Sequence, residues 1–161
     1  MTDKPAAVRQ DHAVQVKVIL SGLWVSMLFV FAYVDIFASL RADVINGVLS
    51  GKVAGTDTGI NQSFLILTTL YIVLPALMVT FSLVAPAKVN RPVNVVVSLL
   101  YVVTVIGAAL GETWAYYILG SVIEVLLLLA IAATAWNWPS AQAHTRQTQT
   151  PQTQAQMEGT S

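Results

Sequence analysis

Apolar residues run along this chain in four long stretches, with the polar residues collected between them. Residues 18–40 form the first, bounded by Lys17 and Arg41, and residues 63–85 the second, ended by Pro86, Lys88, Arg91 and Pro92. The third, residues 93–110, closes at Gly111-Glu112, and the fourth, residues 114–138, stops at Pro139. About 20 mostly apolar residues cross the ~30 Å hydrocarbon core of a bilayer, so each stretch predicts a transmembrane helix. Short links return the chain beside its predecessor. The predicted fold is therefore all-α: four transmembrane helices in an antiparallel up-down bundle. A closed β-barrel is the only other spanning solution, and its ~10-residue alternating strands are not what these Leu/Val/Ala runs show. The first stretch, 23 residues long, exceeds the ~7–15 of a signal-peptide core and reads as a retained span.

Basic residues orient the spans. Lys4, Arg9 and Lys17 precede the first, Lys88 and Arg91 lie between the second and third, and Arg146 follows the fourth. Only Arg41 and Lys52 fall on the other side, which predicts cytoplasmic N and C termini. Trp114, Tyr116 and Tyr117 at the outer end of the fourth span, with Trp136 and Trp138 at its inner end, match the interface preference of aromatic rings. Residues 1–17 read as a cytoplasmic tail, residues 139–161, rich in Gln and Thr, as a disordered one. Residues 41–62 read as a flexible outer loop, with Gly47, Gly51, Gly55 and Gly59 and an amphipathic turn through Val44, Val48 and Leu49 on the membrane surface. Asn61-Gln62-Ser63 matches a glycosylation pattern but abuts the membrane, and is read as chance.

Composition sharpens this picture. Of 161 residues, 56% are hydrophobic and 10% charged, far below the ~25% charged of a soluble domain. With no cysteine and a formal net charge of zero, disulfide scaffolds, thiolate metal sites and a general attraction to nucleic acid drop out. No phosphate-cradling glycine motif is present. His12 and His144 lie in the tails, without partners at metal-ligand spacing. No cofactor and no metal is predicted. The expected surroundings are a cell membrane, the inner membrane in a bacterium.

Every Lys and Arg avoids the spans, yet two acids do not: Asp35 in the first and Glu124 in the fourth. A charge near a span centre costs roughly 2.5–3.5 kcal/mol on insertion scales. Side chains lean toward their helix's N-terminus, so in an antiparallel arrangement Asp35 and Glu124 approach one level from opposite directions. Asp35 shares a stripe with Ser21, Leu28, Ala32 and Ser39, and Glu124 one with Tyr117, Gly120, Ser121 and Leu128; small, polar faces of this kind pack inward. Tyr33, Thr68, Tyr101 and Thr104 lie at middle or outer depth, and Pro75 frees the Tyr71 carbonyl. Together these predict a polar intramembrane site in the outer half. The blander reading makes both acids interhelical hydrogen-bond partners, or places Glu124 in an oligomer seam. Gly107 and Gly111 read as close packing, Trp24 as an anchor or lipid-facing residue.

Three function classes remain. One is a small solute or proton-coupled transporter working as an oligomer. Another is an accessory or binding subunit of a membrane complex. The third, a membrane enzyme acting on a hydrophobic substrate, needs both acids around one enclosed cavity. Candidate partners are the lipid bilayer, a second copy in a homo-oligomer and a small-molecule or lipid-like ligand, with no nucleic acid.

Leu23-Trp24, Tyr33-Val34-Asp35-Ile36, Asn90-Arg91, Tyr116-Tyr117, Ile123-Glu124 and Ala135-Trp136 carry a resemblance. Over roughly Lys17 to Trp138 the chain resembles an uncharacterised family of short four-helix integral membrane proteins of bacteria and archaea. The resemblance implies the architecture and an Asp and a Glu at these two points. It brings no established activity and so no catalytic residue.

Overall fold

The computed structural model describes residues 4–138, with side chains from Val14 onward. The expectations for residues 139–161, His144 among them, and for the His12 side chain lie outside the described residues. The protein is all-helical: α1 (Lys4–Ala38), α2 (Ala42–Leu49), α3 (Gln62–Val84), α4 (Ala87–Ala109) and α5 (Ala115–Trp136). Val14–Ala38 of α1, together with α3, α4 and α5, are long and apolar enough to cross a membrane.

Helix boundaries depart from the apolar runs where polar residues extend a helix. α1 reaches back to Lys4, through most of the segment expected as a tail. Pro5 stands in its first turn, where a missing N–H costs no bond. α4 begins at Ala87, six residues before Val93, behind Pro86 at its N-cap. Pro92 lies inside it and leaves only the Lys88 carbonyl, near the helix start, without an intrahelical donor. Asn61 caps α3: its side-chain oxygen accepts from the Phe64 N–H at 3.0 Å. That is a structural use for the glycosylation-like triplet.

Residues 41–62 are ordered rather than a featureless loop. α2 occupies the stretch around Val44 and Val48 and buries no residue. Beyond it Lys52 pairs with Gly59, and Gly51 and Gly55 take positive φ, 72° each, where a Cβ is unfavourable. Gly47 is needed for another reason: a Cβ there would lie 2.9 Å from the Lys52 carbonyl oxygen.

Three contacts at helix ends fix the relative directions. Lys17 Nζ donates to the Leu83 carbonyl at 3.1 Å, joining the early part of α1 to the end of α3. Arg91 donates to the carbonyls of Ala135 and Trp136 at 3.3 and 2.9 Å, joining the start of α4 to the end of α5. Arg41, just after α1, pairs with Glu112, just before α5, at 2.8 Å. Neighbouring helices therefore run in opposite directions, and the first two contacts place a cation on the carbonyl end of a helix dipole. α1 packs on α3 and α5, α4 packs on α5, and α3 meets α4 through long side chains rather than by close backbone approach.

Leu20, Trp24, Met27, Met78, Tyr101, Val105, Leu128, Ile131 and Ala135 form the core. α1 and α5 approach closely at one point, because a Cβ on Gly120 would run into Val34 Cγ2. Gly107, by contrast, has nothing within 4 Å of an added Cβ, so the close packing expected there is not made within the chain. Gly111 instead turns the chain out of α4 at φ 87°. Large apolar side chains such as Phe29, Leu67, Leu77, Val103 and Leu126 are exposed, an arrangement suited to hydrocarbon rather than water.

Candidate functional site

The Val34–Gly120 contact sets the depth of the two acids. Asp35 lies one residue beyond Val34 toward the Arg41 end, and Glu124 lies one turn below Gly120 in the opposite direction. At 1.5 Å per residue their backbones are about 7.5 Å apart along the helix axes, and each side chain leans toward the other's level. Ser121 and Tyr117 stand on the same face of α5 as Glu124, and Tyr71 of α3 packs against Phe31 of α1, so α1, α3 and α5 bring a polar and aromatic cluster to this depth.

Burial grades through this cluster. Asp35, Tyr33 and Thr68 are exposed; Tyr71, Thr104 and Tyr117 are half-buried. Ser121 is buried and Glu124 retains only 3% exposure. Thr68 sits on the same face of α3 as the buried Pro75, yet it is open, which shows that α3 parts from its neighbours on the Arg41 side of Tyr71. Its hydroxyl donates to the Phe64 carbonyl of its own helix at 3.0 Å. Tyr33 lies elsewhere, on a surface groove between α1 and α5.

Pro75 shapes the floor. It withholds the N–H that would meet the Tyr71 carbonyl, and the Tyr101 hydroxyl donates to that carbonyl instead. The Tyr71 and Tyr101 rings stack at 4.8 Å, with Phe31 against Tyr71 at 5.9 Å. The Tyr71 and Thr104 hydroxyls share a hydrogen bond of 2.8 Å. Glu124 Oε1 stands apart, since among the described residues it has no hydrogen-bond partner.

The structure also holds a buried polar cluster that run lengths did not reveal. Asn94 Oδ1 accepts from Trp24 Nε1 at 2.7 Å and from Ser82 Oγ at 3.1 Å. Asn94 Nδ2 donates to the carbonyl and Oδ1 of Asn90 at 2.9 and 2.5 Å. Asn90 Nδ2 completes the circuit at the Ser82 carbonyl, 2.7 Å away. Trp24, expected at the surface, is fully buried because α4 offers its indole N–H an acceptor. The available signal was the spacing Asn90, Asn94, Ser98, Tyr101, one stripe of polar residues on α4.

A charged cluster closes the other end. The Arg41 guanidinium grips Asp43 at 3.1 and 2.6 Å and Glu112 at 2.8 Å, and lies 4.8 Å from the Trp114 ring centroid. Glu112 Oε1 also accepts from the Thr113 and Trp114 N–H groups. The Arg41 hydrogen bond first, then these backbone donors, hold the Glu112 carboxyl below its ordinary range. Asp43 is lowered chiefly by the same guanidinium. A lowered folded-state value means stabilisation that is complete above the ordinary carboxylate range and lost as pH falls through the lowered values. The stability difference between wild type and Arg41→Gln, read from thermal unfolding in detergent, is therefore expected to stay constant near neutral pH and shrink on acidification. A difference unchanged down to pH 3 removes the ion pairs as its source.

Two surface grooves are apolar and involve neither acid. One, of about 340 Å³, runs between α1 and α5 past Phe29, Val34, Phe37 and Gly120. The other, of about 310 Å³, lies beside Arg91, Val95 and Trp136. Among the described residues no three His, Asp or Glu side chains gather to hold a metal.

Four apolar helices of spanning length, lipid-like surfaces and a buried mid-helix acid fit a small membrane protein. Residues 10–145 match the DUF6326 family, a family of unknown function, and the chain belongs to it. Neither the curated proteins nor the solved structures include a match to the chain.

Proposed function

We propose that this protein is a proton-coupled carrier of a small solute, with Glu124 as the group that takes and releases the proton and Asp35 as the acid at the mouth of its path. In this reading residues 18–138 form an antiparallel up-down four-helix bundle in a cell membrane. Both termini are cytoplasmic, with residues 41–62 outside, and the protein works as an oligomer because four helices alone seldom enclose a pathway. Thr68, Thr104, Tyr117 and Ser121 line the approach, and Tyr71 with Tyr101 closes its floor.

One observation carries the reading. Glu124, in the middle of an apolar helix, is buried with Oε1 unpartnered. A buried polar atom without a partner costs about 1–3 kcal/mol, and intramembrane acids mark proton and solute paths by default. The arginines and lysines whose side chains are described lie toward the ends of the apolar segments or in the links between them, several of them bonded there, so no base competes for the carboxyl.

Liposomes loaded with a pH-sensitive dye provide the test. After an acid pulse, vesicles containing wild type are expected to lose the gradient faster than empty ones. Glu124→Gln is expected to match empty vesicles at equal protein incorporation, and Asp35→Asn to fall between. Wild type indistinguishable from empty vesicles, or Glu124→Gln as fast as wild type, ends the proposal.

The groove between α1 and α5 supports a second reading, a subunit of a membrane complex that seats a partner helix over Phe29, Tyr33 and Phe37. In that case Tyr33→Arg releases the partner and leaves the acid-pulse response unchanged.

A further inference from the structure

The two ends of the molecule treat their basic residues differently. At the Arg41 end each described base has an acid: Arg41 holds Asp43 and Glu112, and Lys52 holds Asp57 at 3.0 Å. At the opposite end stand Lys17, Lys88 and Arg91, and none of the three pairs with an acid among the described residues. Arg91 donates from Nε and Nη2 to the carbonyls of Ala135 and Trp136. That edge of the guanidinium is fixed on the end of α5, while Nη1 has no acceptor among the described residues. Lys88, three residues earlier and so on the same face of α4, is exposed. A groove of about 310 Å³ begins at these bases, lined by Arg91, Pro92, Val95 and Val96 of α4 and by Ala135 and Trp136 of α5. Val95 and Val96 lie about one turn deeper than Arg91, so the groove descends from a cationic rim into the apolar part of the helices. Trp136, 72% exposed beside that rim, has the headgroup-level place that indole rings favour. The groove between α1 and α5 is lined by no base.

We propose that this groove binds an anionic phospholipid, its phosphate on Arg91 and Lys88 and the upper part of one acyl chain along Val95, Val96 and Trp136. Charge complementarity selects this occupant. One molecule brings both the negative group that the bases lack and the hydrocarbon that the groove fits, and basic pockets between transmembrane helices hold anionic headgroups in this way. The planar fork of a guanidinium matches phosphate oxygens. A zwitterionic lipid brings an ammonium group to a rim that is already cationic, and a free anion leaves the groove unfilled. The site involves neither Asp35 nor Glu124, so it goes beyond the carrier reading and stands apart from it. A lipid seated there joins the start of α4 to the end of α5.

Native mass spectrometry of the full chain, released from detergent after titration with dioleoylphosphatidylglycerol, counts the bound lipid. Wild type is expected to retain it saturably and to retain dioleoylphosphatidylcholine more weakly. Lys88→Gln is expected to weaken phosphatidylglycerol binding about fivefold, the effect of one basic residue at an anionic surface, and Arg91→Gln to weaken it at least as much. Val96→Trp fills the groove, leaves both bases in place and is expected to lose binding as well. Lys52→Gln, at the other end, is expected to bind like wild type. Glycerol phosphate separates the whole lipid from its headgroup: wild type is expected to bind it far more weakly. Because Arg91 also bonds α5, an Arg91→Gln variant that does not fold leaves the test to Lys88→Gln and Val96→Trp, both at exposed positions. Loss in both supports the site. Unchanged affinity in either, equal retention of phosphatidylcholine, or glycerol phosphate bound as well as the lipid overturns it. A loss in Lys52→Gln as large as in Lys88→Gln also overturns it, since attraction is then general to the surface.

Discussion

Gly120→Ala is expected to lower the stability of the protein by about 1–3 kcal/mol, the usual cost of forcing a carbon into a filled interface. The added Cβ would lie 2.3 Å from Val34 Cγ2, far inside van der Waals contact. Val34 cannot easily turn away, because a β-branched side chain in a helix has one strongly favoured rotamer. α1 and α5 must then separate, and with them Asp35 and Glu124, one residue and one turn from the contact. Thermal unfolding in detergent reads the loss. Val34→Ala in the same chain removes both γ-carbons and is expected to restore most of it, a coupling that a double-mutant cycle measures directly. An unshifted Gly120→Ala melt, or no rescue by Val34→Ala, shows that the two helices are not in contact there.

Asn94→Ala is expected to cost about 2–3 kcal/mol, well above the ~0.6 kcal/mol average for polar contacts between membrane helices. The difference lies in how many groups one side chain serves. Its oxygen accepts from Trp24 and Ser82, and its amide nitrogen donates twice to Asn90. Truncation leaves the indole N–H, the serine hydroxyl and the Asn90 side-chain oxygen without that partner in a region closed to solvent. Trp24→Phe is expected to cost less on top of Asn94→Ala than in wild type, since its hydrogen bond is already gone and only the packing loss of a buried ring remains. Additive losses in the double variant, or a wild-type melting profile for Asn94→Ala, contradict this account.

The long helices were legible because length and apolarity are local properties, readable one segment at a time. The freed carbonyl at Tyr71 was legible for the same reason, since Pro75 acts on a fixed position four residues earlier. Its acceptance of the Tyr101 hydroxyl was not, because that depends on how α3 and α4 are rotated about their own axes. Trp24 shows the limit most clearly. A tryptophan in an apolar helix suits both the lipid surface and the interior, and Asn94, 70 positions away, decides between them. The acids illustrate it as well. Periodicity put Asp35 and Glu124 on comparable small-residue stripes, but Glu124 is buried and Asp35, three residues from the end of α1, is exposed. The boundaries of α1 and α4 moved outward because Lys, Arg and Gln are good helix formers, while apolarity marks only the part of a helix suited to hydrocarbon.

The buried asparagine circuit has a mechanical consequence. It ties α1, α3 and α4 together near Pro86, whereas beyond Tyr71 α3 has mostly exposed residues and few lateral ties. Stiffness is therefore graded along the molecule, as in a tuning fork whose tines are free at one end and fused at the other. The backbone amides of residues 62–70, on the free tine, are therefore expected to exchange with solvent deuterium sooner than those around Ser82.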